Sequence, residues 1–249
     1  MRFFKIILFN LLLYFSSLSY AHNPEDLIII EIEQGQINFQ NEQISAEYNA
    51  AVKRLRNRRL TAMSFGKKIA IFSKAGFDHI IPKGLDHILF VLGLFFSSLK
   101  FRSLLYQVSA FTIAHSITLG LAALEIITIP VKIVEPIIAL SIVWIGIENC
   151  IFNKPNKWRY LVVFTFGLLH GLGFATMLTK YGLPKDNFIY LLLSFNLGVE
   201  IGQISVLIII FMIMRFIFKQ KWQSDQIRIP SSILIILIGM FWLLERLFI

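Results

Sequence analysis

The chain is 249 residues long, 56% hydrophobic and only 16% charged, with a mean hydropathy of +0.70, a balance that excludes a water-soluble globular domain and puts the chain in a bilayer. The formal net charge of +9 reports topology before it reports a polyanionic partner, because basic residues of membrane proteins gather in inner loops; nucleic acid is not expected as a partner. The single cysteine, Cys150, excludes an intrachain disulfide and a cysteine-based zinc site, so metal chemistry must use histidine, carboxylate and amide groups.

Residues 1–21 read as a signal peptide, with Arg2 and Lys5 ahead of an apolar stretch and Ser19 and Ala21 at the −3 and −1 places of a cleavage site. Cleavage is expected before His22. Residues 22–75 then form a short extracytoplasmic N-terminal segment. In it, LIIIEIEQGQINF alternates around Glu31 and Glu33 and turns at Gly35, which predicts a β-hairpin. AVKRLRNRRLTAM predicts a basic helix or linker; as a helix it would suit an anionic bilayer surface.

Residues 76–249 are expected to be an all-α membrane domain of six transmembrane helices, at about 84–99, 103–124, 130–151, 158–178, 187–214 and 230–247. With the mature N-terminus extracytoplasmic, the inner loops carry Lys100, Arg102, Lys154, Lys157, Arg159, Arg215, Lys219, Lys221 and Arg228. The outer loops and the C-terminal end carry only Lys132, Lys180, Lys185 and Arg246. That asymmetry fits a multi-pass protein of the bacterial inner membrane, in contact with lipid. The basic run from Lys53 to Lys74 lies outside against the rule, and needs the signal peptide to carry it across.

Four of the five histidines fall at or within these spans. His79 and the pair Asp86 and His87 stand about the outer start of the first, His115 is in the second and His170 in the fourth. Glu135, Glu148 and Asn149 accompany them in the third, and Glu200 in the fifth. A charged group at the bilayer centre costs about 2.5–3.5 kcal/mol on insertion scales, so a set of this size points to metal or proton chemistry. Counted along full-length helices, His115 and His170 lie roughly 14 and 12 Å below the outer surface and Glu200 roughly 20 Å, which describes a graded inward route and not a closed cluster. Asn196, Glu200 and Gln203 share a helix face, as Thr112 and Ser116 do beside His115. Gly167 and Gly171 form a small-xxx-small packing pattern. Glu135 reads equally as an interfacial acid, and Glu148 with Asn149 as an inner-end cap or structural hydrogen-bonding pair.

Imidazole with carboxylate suits zinc, nickel, cobalt and copper, whereas magnesium and calcium prefer all-oxygen shells. The expected ligands are His79, Asp86, His87, His115, Glu135, His170 and Glu200, with Thr112, Ser116, Glu148, Asn149, Asn196 and Gln203 as supporting polar groups.

GFDHIIPKGLDHILFVLGL (76–94), FTIAHSITL (111–119), VEPIIALSIVWIGIEN (134–149), FGLLHGLGFA (166–175) and FNLGVEIGQ (195–203) resemble the HupE/UreJ family of nickel and cobalt permeases, its second subgroup above all. The likeness runs from residue 76 to about 246. It implies a permease with Ni²⁺ or Co²⁺ as transported ion and no tightly bound cofactor, and it maps the family's His-Asp-His signature onto His79, Asp86 and His87. With no Walker-type glycine loop, the chain offers no site for direct driving by ATP. Two other functions fit the same polar core. An intramembrane hydrolase would hold Zn²⁺ on the histidines with Ser116 nearby, and an assembly partner would neither transport nor catalyse. Homo-oligomerisation stays open.

Overall fold

A computed structural model of the chain describes residues 51, 54, 58, 60–97, 100–152, 158–181, 187–218 and 225–248, with backbone alone at 175–181 and 218. The expected signal peptide and β-hairpin lie outside the described residues. From Phe65 onward seven helices follow: α1 (Phe65–Ile80), α2 (Leu85–Ser97), α3 (Phe101–Ala123), α4 (Val131–Ile151), α5 (Arg159–Tyr181), α6 (Phe188–Phe218) and α7 (Asp225–Phe248). No strand occurs among the described residues.

Helices α2 to α7 fall on the six segments expected from sequence. By length and composition α3, α6 and α7 are each able to cross a membrane, and α1 with α2 adds a fourth crossing if that pair, bent by 68°, is one broken span or a re-entrant loop. Over the described residues the chain is thus an all-helical, multi-pass membrane protein. Its outward surface agrees: Ile113, Ile117, Trp144, Leu193, Leu197 and Leu237 are exposed, as suits helices whose outer solvent is lipid.

Helix α1 crosses the boundary expected at residue 76. Its sequence FGKKIAIFSKAGFDHI buries Phe72, Gly76 and Ile80, a stripe at i, i+4 and i+8, while Lys67 and Lys74 stay exposed. That stripe lies along α6. The two backbones touch because glycine stands on both sides. A Cβ at Gly76 would run into the Phe195 carbonyl, and one at Gly198 into the Ser73 carbonyl.

The break between α1 and α2 is the feature that positions the site. Pro82 follows a cis peptide bond, and the turn closes when the Gly84 amide donates to the Ile80 carbonyl at 3.1 Å. The 13 residues of α2 rise only about 20 Å, against about 30 Å of bilayer hydrocarbon. Its first residues, Leu85, Asp86 and His87, are all buried among the neighbouring helices. Around it three pairs pack lengthwise, α3 with α5, α1 with α6 and α4 with α7, and α2 touches α1, α3, α4, α6 and α7. Gly167 and Gly171 let α5 lie against the backbone of Phe111 and His115 on α3, the packing role expected of that pair.

Candidate metal centre

The helix break brings histidines from four helices together. His79 ends α1, His87 stands in the first turn of α2, and His115 and His170 project from the middles of α3 and α5. One ligand atom each of His79, His87 and His115 lies within 4.8 Å of the others. The His87 ring is central, with centroids 4.7 Å from His79, 5.7 Å from His115 and 5.0 Å from His170. The graded route expected from sequence is corrected here: these four histidines form one cluster. Depth counted along one helix does not register that helix against its neighbours, and the buried start of α2 brings His87 to the level of His115 and His170.

Two of the imidazoles are held in a defined tautomer. His170 Nδ1 lies 2.8 Å from the Phe166 carbonyl, an obligate acceptor, so Nδ1 carries the proton and Nε2 the lone pair. His115 Nδ1 lies 3.1 Å from Asn196 Oδ1, and the Asn196 amide is oriented in turn by donation from Nδ2 to the Leu192 carbonyl at 2.9 Å. This is the arrangement metal-binding histidines use, one ring nitrogen anchored and the other presented to the ion. The Nε2 atoms of His87, His115 and His170 are buried and make no hydrogen bond within the protein. Such atoms are costly unless something else satisfies them, and a transition-metal ion fits three imidazole lone pairs.

The walls are aromatic. The Phe174 ring lies tilted against His79 with centroids 3.9 Å apart, Phe111 lies 4.9 Å from His170, and Phe90 lies 5.5 Å from it. Phe195 closes the side of His79 at 5.8 Å. An apolar jacket of this kind keeps water out and strengthens any charge interaction inside it.

The other expected ligands sit elsewhere or are engaged. Asp86 is buried beside His87, but Arg246 holds its carboxylate at 3.0 and 3.2 Å. The Glu135 backbone carbonyl accepts from the same guanidinium at 3.1 Å. Glu200 is half-buried and accepts from Ser109 Oγ at 2.6 Å. It belongs to a ladder between α3 and α6 whose next rungs are Thr112 donating to Gln203 at 3.0 Å and the pair of His115 and Asn196. Ser116 donates to the Thr112 carbonyl at 2.6 Å.

Glu148 and Asn149 form a separate polar layer with three residues that sequence reasoning missed. Arg159, 1% exposed, pairs with Glu148 at 2.7 Å and donates to Ser97 Oγ at 2.9 Å. Asn149 donates to the Gly93 carbonyl at 2.7 Å, and Arg228 donates to the Asn149 carbonyl at 3.0 Å. Arg159 and Arg228 stand in sequence at the edges of basic inner loops, and nothing in a loop-like context announces burial. Arg246 did carry a signal, since it falls inside the last expected span, where a charge needs a partner.

A family model described as HupE / UreJ protein matches residues 55–246, more than three quarters of the chain, and the match begins ahead of α1. The chain belongs to the HupE/UreJ family. No curated protein and no solved structure matches it.

Proposed function

From its membership of the HupE/UreJ family, we propose that this chain is an inner-membrane permease for a divalent transition metal, Ni²⁺ or Co²⁺, with six crossings and the mature N-terminus outside. The observation that carries this reading is the cluster of His79, His87, His115 and His170 inside a membrane bundle, with buried Nε2 atoms on three of them that the protein leaves without a hydrogen bond. Neutral imidazoles replace the ion's hydration shell without fixing it by charge, which suits an ion that must also leave. Asn196 and the Phe166 carbonyl hold the donors in place before the ion arrives. Half-buried His79 is the entry ligand. Below the histidines the aromatic pair of Phe90 and Phe111, 5.0 Å apart, separates the cluster from the polar layer at Glu148.

Three clustered histidines also match the ligand count of a catalytic zinc site, which supports the hydrolase as a second reading. It finds less support in the surroundings. In the structure the Asp86 carboxylate is paired with Arg246 and the Ser116 hydroxyl is turned to its own helix, so neither of these two is poised as a general base or nucleophile. Uptake of radiolabelled nickel or cobalt into cells expressing the protein separates the two. A permease gives uptake above vector controls that His87→Ala and His115→Ala abolish. Uptake that survives both substitutions refutes the proposed path, and tight stoichiometric zinc without flux favours the hydrolase.

A further inference from the structure

Arg246 lies near the end of α7, yet its side chain is 9% exposed. Both of its terminal nitrogens are engaged. Nη2 reaches both oxygens of Asp86, at 3.0 and 3.2 Å, while Nη1 donates to the Glu135 carbonyl at 3.1 Å and the guanidinium lies 5.7 Å from the Trp242 ring. One side chain thus ties α7 to the start of α2 and to the first turns of α4. The carboxylate it holds belongs to the neighbour of the central histidine.

The four imidazoles themselves, when neutral, bring no negative charge to an ion. A divalent ion bound there would bring two positive charges into the same low-dielectric interior as the guanidinium, where like charges repel strongly. The same ion would attract the Asp86 carboxylate. A planar guanidinium and a divalent metal are rival partners for one carboxylate, and only the guanidinium is tethered.

We propose that Arg246 is a tethered counter-cation of Asp86 that the entering metal ion displaces. Without the ion, the guanidinium neutralises Asp86 and spares the bundle an uncompensated buried charge. When the ion reaches the imidazoles, Asp86 turns to it and supplies the negative charge that the neutral shell lacks. Arg246 then gives up its bonds to Asp86 and to the Glu135 carbonyl, which loosens α7 from α4. Ion binding and the docking of α7 are therefore linked, and a monovalent cation, with half the charge, is the weaker competitor for the carboxylate. The inference rests on the permease reading for the ion it names and concerns how that site is regulated.

Equilibrium binding of ⁶³Ni²⁺ to purified full-length protein in detergent tests it. Removing the rival cation in Arg246→Gln is expected to tighten nickel binding on the order of tenfold, a usual size for linked equilibria. Asp86→Asn weakens binding, and the double variant Asp86→Asn/Arg246→Gln shows no gain over Asp86→Asn. Arg246→Lys keeps the charge but not the paired fork, and is expected to tighten binding by a smaller factor. Should Arg246→Gln not fold, the Arg246→Lys result decides. Unchanged or weaker affinity in the decisive variant overturns the proposal, as does a gain that persists in the double variant. Failure of the metal-site reading looks different: nickel binding would then be absent in wild type or unaltered in His87→Ala/His115→Ala.

Discussion

Asn196 does for His115 what a backbone carbonyl does for His170, and only the former can be removed by substitution. Outer partners of this kind typically carry 10–100-fold in metal affinity, so Asn196→Ala should weaken nickel binding by roughly that factor while the protein still purifies folded. Unchanged affinity in a binding titration would show that the tautomer is set some other way. Glu148 and Arg159 make a second test at this scale, of stability and not of the ion site. Breaking a buried pair leaves a charge uncompensated, at about 3–5 kcal/mol, so Arg159→Gln should lower the midpoint of thermal unfolding in detergent markedly; an unmoved midpoint would mean that the polar layer is not structural. His115 and His170 were legible in the sequence because a histidine in an apolar run is expensive and needs a reason. Their partners were not. Position along one helix does not say which helix adjoins it, and so the bond from Arg246 to Asp86 and that from Asn196 to His115 became visible only in three dimensions.

The element that decides the site is the broken pair α1 and α2. Six helices were readable as long apolar segments, but α1 is amphipathic and lysine-bearing, and its burial against α6 depends on glycines whose use no single segment declares. The expectation of a graded route failed for the same reason. It puts the start of α2 at the outer surface, whereas Leu85, Asp86 and His87 of that 13-residue helix are buried, behind a turn whose irregular backbone is tolerated because protein surrounds it. Gly198→Ala tests the consequence. Its Cβ would meet the Ser73 carbonyl, α1 would have to leave α6, and His79 would move with it. Weaker metal binding and a lower unfolding midpoint are expected together. Gly66→Ala on the same helix meets nothing within 4 Å and should be neutral or slightly stabilising, since alanine is the better helix former. Equal damage from both substitutions would rule out the close backbone approach as the cause.

Across the whole molecule, α7 is pinned to α4 at both ends by arginine: Arg246 donates to the Glu135 carbonyl, and Arg228 to those of Asn149 and Phe152 at 3.0 and 2.5 Å. Burial of Arg159 and Arg228 takes both out of the loop charges on which the orientation was argued. Between the spans Lys100, Arg102, Lys154, Lys157, Arg215, Lys219 and Lys221 still outnumber Lys132, Lys180 and Lys185, which favours the proposed orientation, while the basic run from Lys53 to Lys74 counts against it unless the signal peptide carries it across. Fold class and family were thus legible from the chain alone, through length, hydropathy and five ordered motifs, while the union of four histidines at a helix break was not. Metal analysis by mass spectrometry on purified wild-type protein, loaded with nickel or cobalt and washed, beside a His87→Ala/His115→Ala variant tests the metal centre most directly. Retention of the ion by the wild type and its loss from the folded variant is the predicted result; equal retention by both, or none by the wild type, would contradict it.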